Sequence, residues 1–184
     1  MSGHEPCIKI REATTDDAAG VARVHIESSR ATYGGLLPEE ALAAMTFEKR
    51  LSNWSKTLGG GEGGEFVFVA EAEGQIVGFA SGGPEREGDA DFDGELYTVY
   101  LLPEQQRRGA GRRLFRAVAE RLAQLGFRSM MLWVLEENPA CRFYEALGGA
   151  RLRVEGIERG GRALKKVAYG WPDIGALCDR LKRD

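Results

Sequence analysis

The sequence predicts a single α/β domain in which a mixed, mainly antiparallel sheet is flanked by helices. Runs of β-branched and aromatic residues of strand length occur along the whole chain, and several of them are joined by glycine-containing turns. Between these runs, apolar residues recur at helical spacing, as at Leu114, Val118 and Leu122. The presence of both patterns in one chain predicts the α/β class.

The composition is that of an ordinary globular protein. The chain has 184 residues, of which 43% are hydrophobic and 29% are charged. This length suffices for one domain with a hydrophobic core. We therefore assign residues 1–184 to a single domain, with a core at about 8–170 and a short C-terminal tail at 171–184. The net charge of −3 gives no reason to expect a general affinity for nucleic acid.

Three features predict a cytoplasmic protein that holds no metal and does not enter a membrane. Residues 1–6 lack the apolar stretch of a signal peptide, and the longest apolar run, at 130–135, is too short to span a bilayer. The three cysteines are odd in number and lack Cys-x-x-Cys spacing, which fits a reducing compartment. Two histidines, His4 and His25, are too few for a histidine-based metal site.

The first half of the chain contains strand, helix and hairpin patterns in that order. The predicted elements are a strand at 7–11, helices at 14–30 and 38–58, and a hairpin of strands at 66–70 and 75–80. Thr14 begins the first helix because its side chain can cap it and acidic residues follow in the first turn. The glycine-rich segment 59–64 is expected to be a flexible connector within the domain.

The second half is organised around a buried strand and the loop that follows it. The predicted elements are a strand at 96–102, a helix ending at about 125, a strand at 129–135, a helix at 138–147, a hairpin at 151–157 and 162–170, and a helical stretch at 174–181. Pro103 ends the central strand because it cannot donate to a ladder. Gly126 is a suitable C-terminal stop for the helix that follows.

The loop between the central strand and its helix is suited to binding phosphate. Gly109 and Gly111 have no Cβ, so a ligand can approach the backbone closely. The start of the following helix offers unpaired N–H groups and the positive end of the helix dipole. The surrounding arginines add charge in a geometry that matches phosphate; they are Arg107, Arg108, Arg112 and Arg113.

Two segments resemble the GNAT acetyltransferases (Gcn5-related N-acetyltransferases). Gln106-x-x-Gly109-x-Gly111, placed after a strand that ends at Leu101-x-Pro103, is similar to the family's acetyl-coenzyme A signature. Downstream, the segment 138–149, with Asn138 near its start and Phe-Tyr near its end, resembles the family's second helix. The resemblance implies an acetyl-CoA-dependent N-acetyltransferase that transfers directly, in a ternary complex, to a primary amine of a small cationic molecule, a protein or a peptide.

The resemblance also implies which residues hold the coenzyme. The backbone of the loop is expected to face the pyrophosphate; its residues are Arg107, Arg108, Gly109, Ala110, Gly111 and Arg112. The backbone of the central strand at Val99, Tyr100 and Leu101 is expected to bind the pantetheine arm and the thioester carbonyl. These three side chains also suit a simple core strand. Asn138 either contacts the coenzyme or only caps its helix.

Two residues are candidates for proton transfer. Glu95 lies eleven residues before Gln106, which is the spacing of the catalytic strand glutamate in the histone-modifying members resembled. As a base it would accept the proton of the amine, which has a pKa of about 10, directly or through water. Tyr144, by the resemblance, would be the general acid for the departing thiolate. The alternatives are one more acid of a polar loop for Glu95 and a packed aromatic for Tyr144.

The segment before the central strand carries a concentrated negative charge. Its charged residues are Glu85, Arg86, Glu87, Asp89, Asp91, Asp93 and Glu95. If these acids surround the entrance to the site, they raise the local concentration of cationic amines. The charge run therefore predicts a cationic acceptor.

Other interpretations remain open from the sequence alone. The chain could bind coenzyme A as a sensor without catalysis, or the cluster 107–116 could bind nucleic acid. A covalent route through Cys141 has no nearby base in the sequence to activate the thiol. A homodimer is possible. His25 is expected to be a packed or partly exposed helix residue and not a base. Three residues lie in segments that line the acceptor side of this fold and are at least as easily structural; they are Glu27, Tyr33 and Trp54.

Overall fold

The computed structural model describes residues 7–61 and 63–183. His4 and the segment 1–6, on which the absence of a signal peptide was predicted, lie outside the described residues. Within the described residues no helix combines the length and the apolar character needed to cross a bilayer.

The described residues form one seven-stranded sheet with helices on it. The strands are β1 (Lys9–Glu12), β2 (Phe66–Ala72), β3 (Gln75–Pro84), β4 (Gly94–Leu101), β5 (Met130–Leu135), β6 (Ala150–Arg159) and β7 (Arg162–Trp171). The α-helices are α1 (Ala18–Tyr33), α2 (Glu39–Ala43), α3 (Phe47–Leu58), α4 (Ala110–Gln124), α5 (Cys141–Ala146) and α6 (Ile174–Arg183). The spatial order of the strands is β1-β2-β3-β4-β5-β7-β6, and all neighbours except β4 and β5 are antiparallel. The predicted fold class is confirmed.

Helices cover both faces of the sheet. His25 of α1 packs against Phe79 of β3, whereas Val118 of α4 lies where a Cβ on Gly82 would point. Phe79 and Gly82 are three residues apart on one strand, and alternation therefore puts them on opposite faces. The core lies on both sides of β2, β3 and β4, and Val24, Phe79 and Phe115 are fully buried.

The predicted helix at 38–58 is two helices in the structure. α2 ends at Ala43 and α3 begins at Phe47. The break occurs because Thr46 takes an extended conformation and its hydroxyl accepts the N–H of Lys49, which is the geometry of an N-cap. A capping threonine inside a helical pattern divides it.

The C-terminal segment belongs to the core, so the boundary predicted at residue 170 is too early. β7 continues through the buried Trp171, and α6 packs against α4. The apolar face of α6 is buried with the main core at Ile174, Leu177, Cys178 and Leu181. A stripe with this spacing must cover another apolar surface, and here that surface is α4.

The acidic loop at 85–93, hereafter the strap, connects β3 to β4 and packs on β5 and β7. Phe92 forms a small second core with Met131 and Ala168, and Trp133 packs against it. Gly170 makes room for this contact, because a Cβ there would lie 2.4 Å from the Phe92 ring. The strap is therefore docked by an aromatic anchor on β5 and β7.

Candidate active site

The central feature of the site is the separation of β4 from β5. Their parallel ladder contains two pairs, Gly94 with Met130 and Glu95 with Met131. β4 continues to Leu101 and β5 to Leu135, but past these pairs the two strands do not bond to each other. The backbone groups on this edge of β4 therefore have no strand partner. The gap between the strands is a cleft of about 550 Å³.

A β-bulge helps to direct β4 away from β5. β3 and β4 pair at Gly82 with Leu96 and at Ser81 with Thr98, so Tyr97 is the extra residue. A bulge bends its strand and increases the local twist. The ring of Tyr97 lines the cleft, and its hydroxyl donates to the carbonyl of Pro84 at 2.6 Å. No local pattern in the sequence indicated this bulge.

The glycine-containing loop ends at the start of α4, beside the cleft. Gly109 adopts a φ of +77°, a conformation that glycine takes without strain, and it caps the helix. The first turn of a helix has no intrahelical acceptors for its N–H groups, and Ala110 and Gly111 stand in this turn. A Cβ on Gly111 would lie 3.3 Å from Leu101, so α4 and β4 approach closely here.

The predicted coenzyme residues fall into two groups. Those that line the cleft are Val99, Tyr100, Leu101, Arg107, Gly111 and Asn138. Those on the same loop and helix start but outside the cleft wall are Arg108, Gly109, Ala110 and Arg112. The loop and the strand edge therefore meet at one end of the cleft.

Asn138 has a defined structural role as well as a place in the cleft. Its side chain is buried, and Oδ1 accepts the N–H of Ala140 at 2.9 Å. The same side chain lies close to the Tyr33 hydroxyl and lowers its pKa against the larger effect of burial. Asn138 thus stabilises the turn before α5 and connects that turn to the end of α1.

Tyr144 lines the cleft from α5. Its side chain is 6% exposed, and its ring packs against Phe143 and Tyr169. Burial raises the pKa of Tyr144, and the proximity of Tyr100 and Cys141 raises it further. The hydroxyl therefore keeps its proton at neutral pH, which is the form that a hydrogen-bond donor requires.

The wall opposite Tyr144 is an aromatic cluster. The hydroxyl of Tyr100 donates to that of Tyr33 at 3.4 Å, and His25 stacks on Tyr100 at 5.0 Å between ring centroids. Nε1 of Trp54 donates to Nδ1 of His25 at 3.1 Å, so the neutral imidazole carries its proton on Nε2. Burial lowers the pKa of His25 to about 4. His25 is therefore an uncharged member of the wall at neutral pH.

Glu95 stands where the strands part, but its side chain is not among those that line the cleft. The side chain is 2% exposed. Nη2 and Nε of Arg86 donate to its two carboxylate oxygens at 2.7 and 3.0 Å. The Arg86 guanidinium in turn stacks on the Tyr97 ring, 3.8 Å from its centroid. The structure therefore places Glu95 beside the cleft and in contact with arginine.

The strap does not form the acidic mouth that the charge run predicts. Most of its acids already have partners: Glu85 accepts from the N–H of Glu87 and Asp89 within the strap, Glu87 pairs with Lys166, Asp89 pairs with Arg153, and Asp93 accepts from the N–H of Arg128 and Ser129. Among the residues described, the cleft lining contains no aspartate or glutamate. The expected acidic mouth is not formed because a charge run does not show which groups the fold itself will neutralise, and the charge of the acceptor stays a prediction.

Two further candidates, Cys141 and Glu27, have structural contacts, and Trp133 lines the cleft although the sequence did not indicate it. Cys141 is half-buried and its thiol donates to the carbonyl of Leu135, so it is a packed thiol. Glu27 pairs with Arg23 on the surface of α1. Trp133 was assigned only to a buried strand, yet its ring lines the cleft with the Lys166 ammonium 3.7 Å from its centroid. Strand alternation was the one signal that could have indicated this.

Comparison with known proteins identifies the family. Residues 19–149 match the model of the acetyltransferase (GNAT) family. The chain is 43% identical over 178 residues to the uncharacterized N-acetyltransferase YuaI of Bacillus subtilis, covering 96% of this chain and 99% of that protein. It is 29% identical to the phosphinothricin N-acetyltransferase of Streptomyces viridochromogenes, covering 95% of this chain and 88% of that one.

A solved structure confirms the fold. The acetyltransferase yncA of Salmonella typhimurium, determined with its cofactor acetyl-CoA, superimposes with a TM-score of 0.67 at 22% identity, covering 90% of this chain and 93% of that one. Together with the match to the family and the 43% identity over nearly the whole length, this leads to one conclusion. The chain belongs to the acetyltransferase (GNAT) family and is an acetyl-CoA-dependent N-acetyltransferase.

Proposed function

We propose that the protein transfers the acetyl group of acetyl-CoA directly to a primary amine, with both substrates bound in the cleft between β4 and β5. The main support is the ladder that stops after Glu95 and Met131, which leaves one edge of β4 without a strand partner inside a cleft. An extended pantetheine arm can bond to such an edge as a strand would. Tyr144 lines the same cleft, so a proton donor stands near the reacting atoms.

In this proposal, acetyl-CoA contacts the chain in two regions. The pyrophosphate would face the backbone N–H groups at the start of α4, with Arg107 and Arg108 adding positive charge; both arginines are exposed. The thioester arm would lie along Val99, Tyr100 and Leu101. The close approach of Gly111 to Leu101 supports this, because the two parts then follow one continuous path. Bound acetyl-CoA supplies the activated acetyl group.

The transfer moves one acetyl group and one proton. The amine nitrogen forms a bond to the acetyl carbon, the carbon–sulfur bond breaks, and the amine loses one proton. Tyr144, which is protonated at neutral pH, would hydrogen-bond to the departing thiolate and supply a proton to it. Glu95 would accept the amine proton through water, because its carboxylate is beside the cleft and not in its wall.

The test is the pH profile of two variants with a panel of primary amines, read by coenzyme A release. We expect Tyr144→Phe to lower kcat by about 100-fold, since it keeps the ring and removes only the hydroxyl. We expect Glu95→Gln to lower kcat at pH 7 and to recover toward high pH, where the amine deprotonates unaided. Full activity of Tyr144→Phe with chemistry still rate-limiting would refute the acid, and full activity of Glu95→Gln at pH 7 would refute the base.

Two parts of the proposal lie outside the site. A cytoplasmic location is consistent with the unpaired cysteines Cys7, Cys141 and Cys178. A homodimer stays a prediction that sedimentation at working concentration would test.

A further inference from the structure

A second cavity lies beside the cleft. It has a volume of about 440 Å³. The two are lined from the same chain segments: Tyr33 lines the cleft and Leu36 lines the cavity, and Trp133 lines the cleft and Leu135, on the same face of β5, lines the cavity. Leu36 stays close to Tyr33 because its N–H bonds to the Tyr33 carbonyl at 3.0 Å. The two spaces are therefore neighbours along both walls.

Four of the eight residues that line the second cavity are apolar. Leucine side chains come from three different segments, Leu36 after α1, Leu135 at the end of β5 and Leu164 on β7, and Ala163 adds to them. Leu164 is 9% exposed yet belongs to neither hydrophobic core of the described chain. The atoms that bury Leu164 therefore lie outside those two cores. Binding of a carbon chain to an apolar surface of this kind is favourable, because it removes apolar surface from water.

The cavity is held in place by contacts between the β6–β7 hairpin and the segment after α1. The guanidinium of Arg162 donates to the carbonyl of Leu36 at 2.9 Å and to that of Gly35 at 3.2 Å. At the hairpin tip, a Cβ on Gly160 would lie 3.0 Å from Ala41 and 3.3 Å from Pro38. These contacts tie the two walls together, so the cavity is part of the folded structure.

The charged residues that line the cavity do not favour a second cation inside it. Glu136 is already paired with Arg151, and the other two charged residues of the lining, Glu137 and Lys165, have opposite signs. In the cleft itself, the described lining has no carboxylate that would bind an ammonium group. The walls therefore favour an acceptor with one reactive amine and an uncharged remainder.

From these observations we propose that the acceptor is a primary amine bearing an apolar alkyl or aryl group, with the amine in the cleft and the apolar group in the cavity lined by Leu36, Leu135 and Leu164. This inference rests on the proposed function, because it takes the cleft between β4 and β5 as the place of transfer. It adds the chemical class of the acceptor.

The experiment is a chain-length series of n-alkylamines, from ethylamine to hexylamine, with acetyl-CoA as donor. We expect kcat/KM of the native enzyme to rise about fourfold for each methylene that enters the cavity, which is the factor for burying one methylene. Leu36→Trp should fill the cavity and lower kcat/KM for hexylamine at least about tenfold more than for ethylamine, since the lost methylene contacts set the difference. Leu37→Trp is the matched control, because Leu37 is the next residue and does not line the cavity.

Leu36→Ala provides a second variant in case the tryptophan disturbs the loop, and it should flatten the series by removing one wall. Three results would overturn the inference: a series independent of chain length, an equal effect of Leu36→Trp on short and long amines, or a preference for α,ω-diamines over alkylamines of the same length.

Failure of the proposed function is distinguishable from failure of this inference. If no amine is acetylated, the transfer in the cleft is refuted, and the inference is then decided by binding. Calorimetry with ethylamine and hexylamine on the coenzyme A complex should still show tighter binding of hexylamine. Equal affinities there would overturn the apolar site.

Discussion

Two charged loops flank β4, and the fold uses them in opposite ways. The strap at 85–93 precedes the strand and is acidic, and the loop at 106–112, hereafter the coenzyme loop because we propose that it binds the coenzyme, follows it and is basic. In the strap, most of the acids bind groups of the same chain. In the coenzyme loop, Arg107 and Arg108 are exposed and form no ion pair with the residues described.

This contrast indicates when a run of charged residues forms a binding surface. The strap has few backbone partners of its own, so its carboxylates supply them; Glu85 and Asp89 accept N–H groups within the loop. The coenzyme loop runs directly into a helix, whose first N–H groups have no intrahelical acceptor and no side-chain cap and so stay available to a ligand. A run of charged residues can bind a ligand only where those charges are not already paired within the folded chain.

The largest effect that this comparison predicts is on coenzyme binding. Gly111→Trp places an indole where the Leu101 side chain is only 3.3 Å from a Cβ, so the ring must enter the cleft. We expect the affinity for coenzyme A to fall by at least about 100-fold, a loss of roughly 2.7 kcal/mol. Calorimetry measures it. Ala90→Trp, on the exposed surface of the strap, is the control and should bind normally; normal binding by a folded Gly111→Trp would contradict the assignment.

A smaller effect is expected on stability, from the strap. Arg86→Leu leaves the buried Glu95 carboxylate without the guanidinium that binds both its oxygens. An unpaired buried charge destabilises a fold, and because Arg86 is 57% exposed we expect a low value, about 2 kcal/mol in the free energy of unfolding. Urea denaturation measures it.

The double variant Arg86→Leu, Glu95→Leu makes the test specific. It removes the unpaired charge and should recover most of the loss. If the double variant is less stable than Arg86→Leu, the ion pair is not the source of the effect. Coenzyme affinity should be unchanged in Arg86→Leu, since the strap is not part of the coenzyme loop.

The next effect concerns the charge of the coenzyme loop. Replacing Arg107 and Arg108 by alanine should weaken coenzyme A binding by about tenfold and reduce its dependence on salt, because exposed charges are screened. Titrations at two salt concentrations measure both quantities. Glu85→Gln in the strap is the matched control and should change neither. An unchanged salt dependence in the arginine variant would show that other groups hold the phosphates.

The features that could be predicted from the sequence are those that depend on local residues or on a shared motif. The Gly109-x-Gly111 motif predicted a helix start beside the central strand, because the conformational demands on those glycines are local. The location of Tyr144 in the cleft followed from the family resemblance. These features depend on residues that are close in sequence or on a motif that others share.

What could not be predicted depends on partners that are distant in sequence. The pairs Glu87–Lys166 and Asp89–Arg153 join the strap to strands more than sixty residues away, and no local pattern indicates them. The bulge at Tyr97 likewise depends on the register with β3. The burial of α6 was missed because an amphipathic stripe does not say what it covers.

The smallest predicted effect separates the two loops by pH. Burial opposes the ionisation of Asp93, but the N–H groups of Arg128 and Ser129 and the Ser129 hydroxyl outweigh it, so the pKa of Asp93 is lowered. A carboxyl with a lowered pKa in the folded state stabilises the protein above its unfolded pKa of about 3.9, and that contribution is lost as the pH falls through the folded value. Because the strap borders solvent, we expect about 1 kcal/mol, reduced by screening.

Urea denaturation at pH 6 and at pH 3 measures this contribution in the native protein and in Asp93→Asn. Asn cannot ionise, so the variant should be less stable at pH 6 and should lose less stability on going to pH 3. The arginines of the coenzyme loop do not titrate in this range, and Arg108→Ala should therefore keep the native pH dependence. If Asp93→Asn and the native protein lose equal stability, the strap's carboxylates are not what holds it. The two loops would then differ only in the sign of their charge.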